Sequence, residues 1–329
     1  MTRTRLVTLL AIAVSLVLAL TLAACGGDGE AGSSEDATAL LERSFKKTVT
    51  SGELDLNVEA ALDGVEELKG PLKLTLKGPY AQETPKDFPV LDWDVTAEGA
   101  GQSFKAGVIV TEDNAFVEYN GENYEVGTEL FKQLKNQQES QQQSFTPQGL
   151  KALGIDASKW LKDAKVEDGE EIGGDSTQLV TGDVDIERVV KDLFKLIESP
   201  AVRQQLESQG QAVPDVPEPS AEDIKKIEDA IDKLALEVNI DEDDYVRRTF
   251  LDTDFTVPEG TEAGMLKGGS LSFDYTLTDV GNEPEIDPPT GAKPIQELLG
   301  QFGAAGGASP GTGGTAPTPA PAPEELQTP

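Results

Sequence analysis

Four consecutive acids, Asp241-Glu242-Asp243-Asp244, form the densest group of metal-capable side chains in the sequence, and a basic pair, Arg247-Arg248, follows them. A calcium loop needs acids at alternating positions, a glycine at its sharp turn and a late glutamate. No glycine occupies that turn here, and alternating apolar residues flank the run on both sides. The spacing therefore predicts a hairpin turn, with the arginines offsetting nearby acids instead of gripping a phosphate. The chain has no histidine and one cysteine. That excludes Ser-His and Cys-His nucleophile pairs, imidazole metal sites and any internal disulfide. No Gly-x-Ser-x-Gly elbow, Gly-x-Gly-x-x-Gly loop or P-loop is present. With 60 acidic residues, close carboxylate pairs arise by chance and are no glycosidase signature. The residue types describe a protein that is not an enzyme and carries no cofactor and no metal.

Charge narrows the partners. Sixty acids against 27 basic residues leave a net charge of -33, which repels phosphate backbones and excludes nucleic acid. The N-terminus supplies an address. Arg3 and Arg5 precede an apolar run from Leu6 to Leu22 that closes on Leu22-Ala23-Ala24-Cys25. A positive end, an apolar core and small residues before a cut describe a secretory signal over residues 1–24. A retained membrane helix is the alternative, but no basic stop-transfer flank follows the run. Leu-Ala-Ala-Cys is similar to the bacterial lipobox, whose cysteine becomes the lipidated first residue of the mature chain. Cys25 is thus the expected lipidation site. Each buried methylene contributes about 0.8 kcal/mol, so a multi-chain lipid holds a protein stably at a membrane. The expected location is the cell membrane, lipid-anchored, on its extracytoplasmic face.

Residues 25–35, rich in Gly, Ser and acids, read as a flexible tether, and residues 288–329 read as a disordered Pro/Gly/Ala-rich tail. The body between, residues 36–287, alternates in period. Helical spacing marks Ala37 to Thr48, Thr128 to Gln143 (with Leu130, Phe131 and Leu134 on one side), Pro147 to Leu153, Ser158 to Asp163, Ile186 to Ser208 and Ala221 to Asp232. An acidic, proline-containing insert spans Glu207 to Glu222. Elsewhere apolar and polar residues alternate as in half-buried strands separated by short turns, which form antiparallel meanders because parallel pairs need long crossovers. The fold class is α+β: an antiparallel sheet with helices gathered on one face.

The inward residues of these strands make a broad apolar wall. Leu54, Leu56, Val58, Leu72, Leu74, Leu76, Val95, Phe104, Val108, Leu236, Val238, Phe273 and Tyr275 are its candidates. Two readings share this alphabet: a packed core closed by the helices, or a cavity the helices leave open for an apolar ligand. Periodicity does not separate them. The first leaves an envelope interaction protein with an acidic binding surface, the second a lipid carrier.

The lipobox, the order of elements and the stretch Ala164-Lys-Val-Glu-Asp-Gly-Glu-Glu-Ile-Gly-Gly-Asp-Ser-Thr-Gln-Leu-Val-Thr-Gly-Asp-Val-Asp185 resemble the LppX/LprG-type lipoproteins of actinobacterial envelopes. The helix from Ile186 and the hairpin from Leu234 to Val257 are similar as well. The resemblance implies a curved antiparallel half-barrel, LolA/LolB-like in shape, with helices packed on its concave face. It further implies that an acylated lipid or glycolipid occupies an apolar cavity and is carried within the envelope.

Overall fold

The computed structural model describes residues 34–65, 70–84, 87–139, 153–199, 203, 218–258 and 266–306. The signal segment, Cys25, nearly all of the tether, the helix expected at Pro147 to Leu153 (except Leu153, which lies in a turn), most of the acidic insert and the end of the tail lie outside these residues.

Twelve strands form one sheet in the order β12-β6-β5-β4-β3-β2-β1-β11-β10-β9-β8-β7. They are β1 (Ser51–Asp63), β2 (Leu72–Ala81), β3 (Val90–Gly99), β4 (Gln102–Val110), β5 (Ala115–Tyr119), β6 (Glu122–Glu125), β7 (Leu161–Asp168), β8 (Thr177–Val184), β9 (Ile231–Asp241), β10 (Val246–Thr256), β11 (Gly268–Thr278) and β12 (Lys293–Pro294). Every pairing is antiparallel except that of β12 with β6. The edge strands β7 and β12 do not meet, so the sheet is open and not a closed barrel. The α+β class expected from the sequence holds.

Register turns local alternation into one continuous wall, because a period of two puts every second side chain on the same face. Leu56 stands opposite Leu76 and Tyr275, and Val58 opposite Leu74 and Phe273. Leu76 then meets Val95, Trp93 meets Val108, Phe273 meets Leu251, and Val238 meets Val180. The other face is wet. There Lys77 bonds Asp55 at 3.0 Å and Lys73 bonds Glu59 at 2.8 Å, exposed pairs that add little stability.

Helices cover the apolar face in separate pieces. Helix α1 (Ser34–Ser44) lays Ala37, Leu40 and Leu41 on Leu161, Val180, Val238 and Ile240. Helix α2 (Thr128–Glu139) sends Phe131 into the cluster of β1 to β4 and β11, where Phe88 meets it edge-on at 5.4 Å. Helix α3 (Ile186–Ile197) packs Leu196 on Ile155 and touches α4 (Ala221–Ala230), which starts in a capping box between Ser220 and Asp223. Helix α5 (Ile295–Gly306) sets Ile295 and Leu298 on Tyr124.

Several expectations are corrected. Ser158 to Asp163 is not a helix: a single 3-10 turn at Ala157–Lys159 leads into β7. A bulge between Lys162 and Lys165, with Asp163 at φ 48°, breaks the alternation that would have marked the strand. Leu130 and Leu134 do not share Phe131's burial; each is 43% exposed. The ordered chain continues past Asp287 through β12 and α5, since Ile295 and Leu298, three apart, give that segment an apolar stripe to bury.

Candidate functional site

The apolar wall is buried unevenly along its strands. At one end, Leu54, Tyr80, Leu91, Val110 and Leu277 are all buried in one cluster with Phe131, and Ile240 is buried under α1. Toward the opposite end cover thins. Of the thirteen sequence candidates, Leu54, Leu56, Val58, Leu76, Val238, Phe273 and Tyr275 are buried. Leu72, Leu74, Val95, Val108 and Leu236 are only half-buried, and Phe104 is 40% exposed. The register places all thirteen on one face, so the wall is a single surface with a tight end and a loose end.

At the loose end Phe104 stacks on Tyr119 with ring centroids 5.4 Å apart, and Tyr119 lies in turn against the cluster held by α5. An aromatic ledge thus borders the half-buried rows, with Leu299 of α5 exposed nearby in sequence to the buried Leu298.

The tight end is locked by charge. The predicted acidic run does form the β9–β10 turn, in which Asp244 takes φ 64°. The Asp241 carboxylate accepts from the backbone N–H of Asp243 and Tyr245 and from Arg247 Nε at 2.5 Å. Arg247, itself buried, also donates to Asp175 and, at 3.4 Å, to the Leu277 carbonyl. Arg43 of α1 bonds Asp244 at 3.1 Å, tying the first helix to this turn. Arg248 reaches Asp274 at 2.7 Å and Glu170 at 2.6 Å. The Asp274 hydrogen bond, with Glu170 behind it, pushes the guanidinium pKa still higher. Both arginines are thus committed to carboxylates, as their spacing implied. Among the described residues no three acids or cysteines converge as metal ligands, and no helix is long and apolar enough to cross a membrane.

Two phenols and an indole interrupt the apolar wall. Burial pushes the Tyr275 hydroxyl pKa well above its ordinary value, with a smaller contribution from Tyr80, and burial alone does the same to Tyr80. Both therefore stay neutral. Beside them Trp93 carries a buried Nε1–H for which the described residues offer no acceptor. Alternation assigned Trp93 to a strand but held no sign of this; only the register and packing reveal it.

No protein-family model matches the chain, and no curated protein matches it. Among solved structures the chain is similar to LprF from Mycobacterium bovis, at 13% identity, covering 79% of this chain and 100% of that one with a TM-score of 0.40. It is also similar to the Mycobacterium tuberculosis lipoprotein LppX, at 13% identity over 78% of this chain and 100% of that one, TM-score 0.33. A DUF1329 family protein from Desulfovibrio piger shares 9% identity over 77% of this chain and 96% of that one, TM-score 0.20.

Proposed function

We propose that the chain is a non-catalytic envelope lipoprotein, anchored through Cys25 to the extracytoplasmic face of the membrane, that holds an acylated lipid or glycolipid against the apolar wall and carries it within the envelope. One observation carries the reading: a largely apolar face is sealed at one end and left half-covered at the other. A packed core gains about 25 cal/mol for each Å² of apolar surface taken from water, so leaving Leu72, Leu74, Val95, Val108 and Leu236 partly exposed forgoes stabilisation that a guest with acyl chains restores. Full burial of such side chains is worth about 1.5–3 kcal/mol each. The Arg247 cluster supports the same arrangement by fixing the tight end as a floor.

Native mass spectrometry of the chain purified from a membrane-bearing host tests this. Acyl lipid is expected to travel with the protein and to leave on delipidation. A bare mass, together with no uptake of added diacylglycerol, overturns the carrier reading and leaves an interaction protein with a closed core and an acidic surface.

A further inference from the structure

We propose that the loose end of the wall is the face this protein sets on a phospholipid bilayer, with the β3–β4 and β5–β6 turns against the headgroups. The inference rests on the anchored-carrier reading and adds the surface through which a lipid enters. The anchor alone does not fix an orientation. Cys25 lies nine residues before Ser34, a reach of at most about 30 Å. That keeps the body near the membrane without deciding which end faces it.

The turns decide. Successive turns of an antiparallel meander lie at opposite ends of the sheet. Those at the tight end carry Glu112-Asp113, Glu170-Glu171 and Glu242-Asp243, all exposed. At the loose end the β3–β4 turn is Ala100-Gly101 and the β5–β6 turn is Asn120-Gly121, with no charge in either. There the Lys267 N–H donates to the Asp63 carbonyl at 2.8 Å, so half-buried Val65, Val257 and Leu266 share this rim. The acids of these two connections, Glu66, Glu67, Glu259 and Glu262, are offset in part by Lys69 and Lys267. A single strand shows the contrast. On β4, Phe104 is 40% exposed two residues past the first, and Glu112-Asp113 follow its end at Val110.

Charged turns pressed onto a bilayer must shed hydration and face headgroup phosphates, whereas uncharged turns and an exposed ring enter the interface at small cost. Leu130 and Leu134 are exposed too, but they ride on α2, whose Lys135 bonds the Glu112 carbonyl at 3.1 Å, and so lie by the tight-end acids. Seating the half-covered end on the membrane gives an acyl chain a route to the wall that does not cross water.

The test uses the lipidated full chain in phosphatidylcholine vesicles containing phosphatidylglycerol. Lipidation consumes the only cysteine thiol. A bimane attached to Gln102→Cys or to Glu112→Cys, both exposed positions at opposite ends of β4, is then the single label. About 30 Å of strand separates the two, so a headgroup nitroxide is expected to quench the Gln102→Cys label severalfold more than the other. Hydrogen exchange of the unlabelled chain gives a second readout. Residues 99–102 and 119–122 should slow on vesicles relative to the unanchored Cys25→Ala chain in buffer, and residues 111–114 should not. Equal quenching, or stronger quenching of the Glu112→Cys label, overturns the orientation and leaves the carrier reading to its own lipid-uptake test. A chain that does not float with the vesicles overturns the anchor and the docking together.

Discussion

The two ends of the apolar wall are written in the same alternating alphabet and finished differently. At the tight end, Leu54, Leu91 and Leu277 share a buried cluster with Phe131, and the Leu277 carbonyl accepts from Arg247. At the loose end, Leu72, Leu74 and Phe104 continue the same rows with partial cover. Strand sequence decides which residues face inward; the covering elements decide how fully that face is buried. The same β2 contributes to both ends, since buried Tyr80 and half-buried Leu72 lie eight residues apart on one strand.

The comparison can be broken at its strongest point first. Arg247→Ala leaves Asp241 buried without its partner and is expected to cost about 3–5 kcal/mol of stability in urea unfolding; a loss under ~1 kcal/mol means the charge cluster does not lock the tight end. Next, Phe131→Ala at the tight end is expected to cost about 3–5 kcal/mol, against under ~1 kcal/mol for Phe104→Ala at the loose end. Equal losses would erase the distinction between the ends. Leu74→Gln sharpens it: the half-buried site is expected to tolerate the amide while acyl-lipid uptake falls severalfold, whereas Val58→Gln, fully inside, is expected to unfold the chain by burying an unsatisfied amide. The smallest effect concerns the β6 edge. The hydrogen bond from Lys293, and then that from the Tyr124 hydroxyl, hold the Glu122 carboxyl below its ordinary 4.5. Because the folded value is the lower one, this support for α5 is complete above pH 4.5 and fades as pH falls through the folded value. Hydrogen exchange in residues 295–301 should accelerate on acidification, and less so in Glu122→Gln.

The inward faces of β1, β2, β3, β4, β9 and β11 were legible because each carries a run with a period of two. The turn at Asp241 to Asp244 and the pairing of both arginines with acids were legible from charge and from the missing glycine. What escaped did so for local reasons. The start of β7 hides its period behind a bulge, β5 and β6 are too short to show one, and β12 has two residues. Leu130, Phe131 and Leu134 look equivalent by spacing, yet only Phe131 reaches the core, since this helix buries a narrow stripe. Which wall residues would be half-covered depends on segments far along the chain, and so does the isolation of the Trp93 donor; neither is encoded near those residues.

An open twelve-strand ladder has two rims, and each is blunted. At one, β7 carries Lys162 and Lys165 around a kink at Asp163; at the other, β6 is masked by the two-residue β12 and by α5. Bare rims recruit strangers, whereas lysines, kinks and short caps turn them away. Copies that meet edge to edge can therefore stay separate without the barrel closure that would have shut the wall from both sides.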